Sequence, residues 1–163
     1  GSRNTIANYF TEIVKHKYDG VDVIAGVATG AIGIGMLVAH KMNRPFIYVR
    51  PEAKKHGKKN QIEGYIPKNP KIIVIEDLIS TGKSSLNAVE ALKKIGADVI
   101  GMFGIFSYEL NIAQKNFNKS NIKLNTLCSY DILVKEAIKQ NIINSDSLNK
   151  LYEWKKSPEN WGS

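Results

Sequence analysis

Residues 72–85 run Ile-Ile-Val-Ile-Glu-Asp-Leu-Ile-Ser-Thr-Gly-Lys-Ser-Ser. Four β-branched residues form a strand that delivers two adjacent carboxylates, Glu76 and Asp77, to its end. A hydroxyl-rich turn then reaches Gly82 and opens a helix. The first amides of a helix have no partner inside it, and with Ser and Thr hydroxyls beside them they form a cradle for phosphate. Gly82-Lys83-Ser84 superficially matches a nucleotide P-loop, but that motif requires glycine at position 77, which is Asp. Helix capping by Ser80 and Ser84 is a second reading, and it leaves the paired acids without a purpose.

Two further segments carry chemistry. Gly26-Val27-Ala28-Thr29-Gly30-Ala31 closes an apolar strand and leads into a helix, a glycine-bearing turn at a strand end. A tight turn alone would also account for Gly30. Tyr48-Val49-Arg50-Pro51-Glu52-Ala53-Lys54-Lys55-His56-Gly57 begins a lysine-rich stretch from 50 to about 61 with almost no apolar residue. Such a stretch cannot bury itself and is expected to be mobile.

The elements that must position these segments follow from hydrophobic periodicity. Ile6, Tyr9, Phe10, Ile13 and Val14 recur at helical spacing in a helix that ends near Asp19-Gly20. Strands are expected at 21–27, 46–49, 71–75, 97–106 and 124–127, and helices at 32–42, 83–95, 109–117, 132–139 and 147–155. Alternating strands and helices imply right-handed βαβ units, hence an α/β fold: a Rossmann-like parallel sheet with helices on both faces. Ligands of such sheets sit at the carboxyl ends of the strands, where all three segments fall. No repeat or linker divides the chain, so a single domain over 1–163 is expected.

Composition narrows the function classes. The 163 residues carry a net charge of +8 and are 43% apolar, enough for one globular core. No stretch approaches the ~20 apolar residues of a membrane helix. Twenty of the 23 cations are Lys and three are Arg, a poor balance for reading nucleic acid, so no nucleic-acid partner is expected. A single cysteine, Cys128, excludes an internal disulfide and suits a reducing cytoplasm; it is expected to be a buried packing residue. Gly1-Ser2 looks like a tag scar with no signal pattern after it. His16 and His40 sit in helical patterns and receive no role.

Acid-acid-apolar-apolar-Ser-Thr-Gly after an apolar strand resembles the phosphoribosyl pyrophosphate signature of type I phosphoribosyltransferases. The loop with Arg50, Lys54 and His56 resembles the catalytic loop of the orotate phosphoribosyltransferases in particular. That resemblance implies transfer of phosphoribosyl from phosphoribosyl pyrophosphate to orotate, with Mg²⁺ held mainly through the substrate and no direct protein metal site. It implies that Asp77 and Glu76 hold the ribose hydroxyls and the Mg²⁺ they share, and that Leu78, Ile79, Ser80, Thr81, Gly82, Lys83 and Ser84 wrap the 5′-phosphate. Ser80 would also face orotate. Ala28, Thr29 and Gly30, with Arg50, Lys54 and His56, would take the diphosphate, and Asp77, Glu76, Lys54 and His56 would carry catalysis. A homodimer is implied, because loops of this family complete a neighbour's site.

The chain departs from the family pattern at four places. Lys83 stands where many members have Gly or Ala, Pro51 where many have a second Lys, and Tyr108 where an Arg often faces the base. An N-terminal segment that helps enclose the base is expected to be absent. The alternatives are a purine-type phosphoribosyltransferase and a regulator of the same fold that binds nucleic acid.

Overall fold

The computed structural model describes residues 1–52 and 61–161. In chain order the elements are α1 (Ser2–Lys17), β1 (Val23–Val27), α2 (Ile32–Met42), β2 (Phe46–Val49), β3 (Ile62–Glu63), β4 (Lys71–Ile79), α3 (Lys83–Lys94), β5 (Asp98–Ser107), α4 (Asn111–Lys119), β6 (Leu124–Ser129), α5 (Tyr130–Lys139) and α6 (Leu148–Lys156). Short 3-10 turns at Ser145–Ser147 and Pro158–Asn160 flank α6. The strands form one sheet in the order β3-β2-β1-β4-β5-β6, parallel except for the antiparallel β2–β3 pair. This is the expected parallel α/β sheet, with helices on both faces.

Strand composition explains the burial. β1 and the first five residues of β4 after Lys71 are buried throughout, because helices cover both faces of the central strands. One core layer joins Val23, Ala25, Ile72 and Val74 to Ala88, Val89 and Leu92 of α3 and to Phe117 of α4. The opposite layer joins Ile24, Ile73, Ile75 and Phe103 to Phe10 and Val14 of α1 and to Val38 of α2. The two sets alternate along β1 and β4, as the twofold strand period requires. Phe103 anchors the second layer: its ring meets Phe10 and Tyr18 edge-on, each at 5.9 Å between centroids.

The structure departs from the expected elements where tertiary pairing overrides local pattern. β4 does not stop before the acids. It continues through Ile79, because long β5 pairs with it to the end, Glu76 with Gly104, Leu78 with Phe106 and Ile79 with Ser107. β3 was not expected; two residues have no periodicity, and the strand exists through pairing of Tyr48 with Glu63 and Val49 with Ile62. α4 begins at 111 rather than 109, since Glu109 is in the left-handed region at φ 54° and Leu110 is extended. α1 takes in Ser2, earlier than its apolar pattern suggests. Cys128 is half-buried rather than buried, because β6 is the edge strand and the sheet ends there.

The packing at Phe103 is testable. Its side chain has no solvent exposure, so Phe103→Ala is expected to lower stability by about 3–5 kcal/mol. Urea unfolding followed by circular dichroism measures it, and a loss under 1 kcal/mol would mean the layer collapses around the gap.

Candidate active site

β1 and β4 are neighbours with Gly26 level with Ile75, so Asp77 stands beyond the end of β1, beside the turn that leaves it. That turn is tightly tied. The Ala28 amide donates to Val49 O at 2.8 Å, Ala31 N to Val27 O at 3.1 Å and Ile32 N to Thr29 O at 3.2 Å. The Ala28–Thr29 peptide is cis. Thr29 and Gly30 are exposed. A Cβ built on Gly30 would overlap the Asp77 carboxylate. A side chain here would have to push the Asp77 carboxylate aside; the constraint is close approach and not backbone angle, since Gly30 is absent from the positive-φ residues. Contact between the 27–31 turn and the end of β4 brings two of the three sequence-identified segments together.

The two acids live in different surroundings. Asp77 is exposed, and its Oδ1 accepts from the Leu78 amide at 2.8 Å. Glu76 is 4% exposed and turns toward α3, where Ser85 Oγ donates to Oε2 at 2.8 Å; the Asp77 amide donates to Oε1 at 3.1 Å. Burial pushes the Glu76 carboxyl up from 4.5 to about 8, a hydrogen bond with the Asp77 side chain adds to the rise, and Ser85 opposes it. At neutral pH Glu76 is thus mostly protonated. Ser85 escaped the sequence reading, which stopped at Ser84; the doubled serine was the available signal.

Beyond Ile79 the chain forms the 80–82 turn. Gly82 is left-handed at φ 76° and is the N-cap of α3. Thr81, Lys83 and Ser84 are exposed, while Ser80 is half-buried. Thr81 Oγ1 lies 3.4 Å from the Lys83 amide, and the Leu86 amide donates to Gly82 O at 2.9 Å as the first regular bond of the helix. Among the described residues the Gly82, Ser84 and Ser85 amides find no acceptor. They are the unpaired donors of the turn.

Arg50 directly follows β2 and is held rather than free. Its Nη2 donates to Tyr48 Oη at 3.2 Å, its guanidinium lies 5.4 Å from the Tyr48 ring centroid, and Nε is 3.4 Å from Glu63 Oε1. Its backbone is clasped by Gln61, with Arg50 N donating to Gln61 O at 2.8 Å and Gln61 Nε2 to Arg50 O at 3.1 Å. Lys54 and His56, with the expected mobility of their loop, lie outside the described residues. Tyr108 donates its amide to Ile79 O at 3.0 Å, and its ring packs edge-on to Phe106 and Trp154 at 5.1 and 5.3 Å, with Tyr130 at 6.0 Å. The ring is thereby built into an aromatic cluster that ties α6 to the carboxyl end of the sheet. Nothing in the sequence pairs Tyr108 with Trp154, 46 positions on.

Among the described residues no group of three or more His, Cys, Asp or Glu side chains could hold a metal. Asp77 is an exposed hard oxygen donor at the strand end, so these residues fit a divalent cation that takes most of its ligands from a bound polyanion.

Two predictions follow from this geometry. Gly30→Ala forces Asp77 off its bond with the Leu78 amide, a cost of about 1–2 kcal/mol. Adding Asp77→Ala should recover most of it, and a double-mutant cycle in urea measures the coupling; strictly additive losses would refute the contact. The raised Glu76 carboxyl favours the protonated folded state, so its contribution is full below about pH 4.5 and is lost as pH rises to about 8. Glu76→Gln stays neutral, and its melting temperature should fall less than that of the wild-type protein across this window. Parallel pH profiles would show instead that Glu76 titrates normally.

Comparison with known proteins agrees with the geometry. The family described as "Phosphoribosyl transferase domain" matches residues 3–124. An orotate phosphoribosyltransferase of Cytophaga hutchinsonii is 49% identical over 98% of this chain and 77% of its own length, and one of Listeria innocua is 48% identical over the same shares. Among solved structures, orotate phosphoribosyltransferase from Aeropyrum pernix shares the fold at a TM-score of 0.72 and 24% identity, covering 81% of this chain and 73% of that one. With a family match over most of its length and near-half identity to such relatives, the chain belongs to the phosphoribosyltransferase family and groups with its orotate phosphoribosyltransferases.

Proposed function

We propose that this protein transfers phosphoribosyl from phosphoribosyl pyrophosphate to a ring nitrogen of orotate, releasing pyrophosphate and forming orotidine 5′-phosphate. The observation that carries the reading is the meeting of the 27–31 turn with Asp77 at Gly30. It sets an amide-rich turn, an exposed carboxylate and the unpaired amides of the 80–85 turn side by side. A sugar with a phosphate at one end and a diphosphate at the other needs those three groups in that order.

In this reading Asp77 binds the ribose hydroxyls, and protonated Glu76, held by Ser85, backs it. The amides of Thr81, Gly82, Ser84 and Ser85, with the Lys83 cation and the hydroxyls of Ser80, Thr81 and Ser84, take the 5′-phosphate, joined by the backbone of Leu78 and Ile79. Ser80 borders the orotate. Ala28, Thr29 and Gly30 approach the diphosphate, and Arg50, Lys54 and His56 neutralise it. As the C1–O bond to pyrophosphate breaks and the C1–N bond forms, positive charge grows on the sugar and negative charge on the leaving group. Asp77 supports the first and the cations support the second, so their contacts strengthen in the transition state. Mg²⁺, when bound to the diphosphate, supplies further neutralisation of the leaving charge. The protein works as a homodimer in which each copy closes its neighbour's site.

The test is a product assay on the purified protein with phosphoribosyl pyrophosphate, Mg²⁺ and either orotate or adenine. Orotidine 5′-phosphate and pyrophosphate should appear in equal amounts with orotate, and no nucleotide should form with adenine. Asp77→Asn should lower kcat/KM at least about 100-fold. Adenine turnover would overturn the base assignment, and wild-type rates in Asp77→Asn would overturn the site.

A further inference from the structure

The 80–82 turn is gripped from outside by α4. Asn116 Nδ2 donates to Thr81 O at 3.0 Å, across 35 positions of sequence. The next residue, Phe117, is buried, and its ring edge lies 2.6 Å from where a Cβ on Gly82 would stand. One α4 side chain thus holds the turn's carbonyl, and its neighbour limits position 82 to glycine.

The Thr81–Gly82 peptide is trans. In a trans peptide the C=O and the following N–H point in opposite directions. Fixing Thr81 O toward α4 therefore turns the Gly82 N–H away from α4, and it finds no acceptor among the described residues. Gly82, left-handed at φ 76°, then leads directly into the first amides of α3, so those of Ser84 and Ser85 follow from the same peptide. Were Thr81 O released, rotation of this one peptide plane would swing the Gly82 N–H inward and lose a donor. Asn116 is suited to prevent that rotation, because a carbonyl only accepts and the carboxamide nitrogen must face it.

We propose that Asn116 is a positioning residue of the 5′-phosphate site: through Thr81 O it sets the direction of the Gly82 amide, and it touches no ligand itself. The inference rests on the reading of the 80–85 turn as a phosphate cradle. It assigns a function to α4 (Asn111–Lys119), which supplies none of the residues that the sequence reading placed in the site.

Two probes separate this role from a general structural one. Ribose 5-phosphate reports on the 80–85 turn, and inorganic pyrophosphate with Mg²⁺ reports on the 28–30 turn. Calorimetry with wild-type protein, Asn116→Leu and Asn116→Asp should show ribose 5-phosphate bound about fivefold more weakly by both variants, the size of one neutral hydrogen bond. Pyrophosphate affinity should be unchanged. Asn116→Asp is nearly isosteric and serves if the leucine variant fails to fold. Unchanged ribose 5-phosphate affinity in a folded variant would overturn the proposal, and so would equal weakening of both probes, which marks a global effect. Failure of the wild-type protein to bind ribose 5-phosphate would overturn the cradle reading and this inference with it.

Discussion

The carboxylate of Asp77 occupies the space that a side chain at position 30 would need, and the rest of the site depends on that proximity. β1 and β4 are adjacent and parallel, and Gly26 is level with Ile75, so the carboxylate overhangs the end of β1. The strands bring the two segments near, and the missing Cβ lets them touch. Any side chain at position 30 would displace this exposed carboxylate. Because the contact joins two strand ends, the buried layers beneath them transmit their rigidity to it.

The acids are adjacent in sequence but serve in different ways. Glu76 is drawn under the surface by Ser85 and held mostly neutral, which spares the strand end a pair of like charges within one residue of each other. Asp77 stays exposed at the surface. Ser85, on the helix after the turn, and Asn116, on the helix that flanks it, hydrogen-bond to Glu76 before the turn and to Thr81 O within it.

Much of this was legible in the sequence, for identifiable reasons. α2 and β2 begin and end where periodicity puts them, since Asn43-Arg44-Pro45 separates them sharply. The strand before the acids was plain from four β-branched residues in succession. What escaped were features made by pairing. β3 has only two residues and exists through β2, and the far end of β4 is a strand because β5 runs alongside it. In the site, the acids and the turn after them were visible as a contiguous motif. The need for glycine at 30 was not, because it arises from a residue 47 positions away. Tyr108 illustrates the same limit: its position suggested a place against the base, and its packing against Trp154 appears only once α6 has folded back onto the sheet.

A crystal structure of the protein with phosphoribosyl pyrophosphate and Mg²⁺ tests the central claim most directly, because that claim concerns which two segments share one ligand. The account predicts the ribose hydroxyls on Asp77, the 5′-phosphate on the amides of the 80–85 turn and the diphosphate against the 28–30 turn. A ligand bound in another part of the sheet, or one whose 5′-phosphate leaves the 80–85 amides unoccupied, would contradict it.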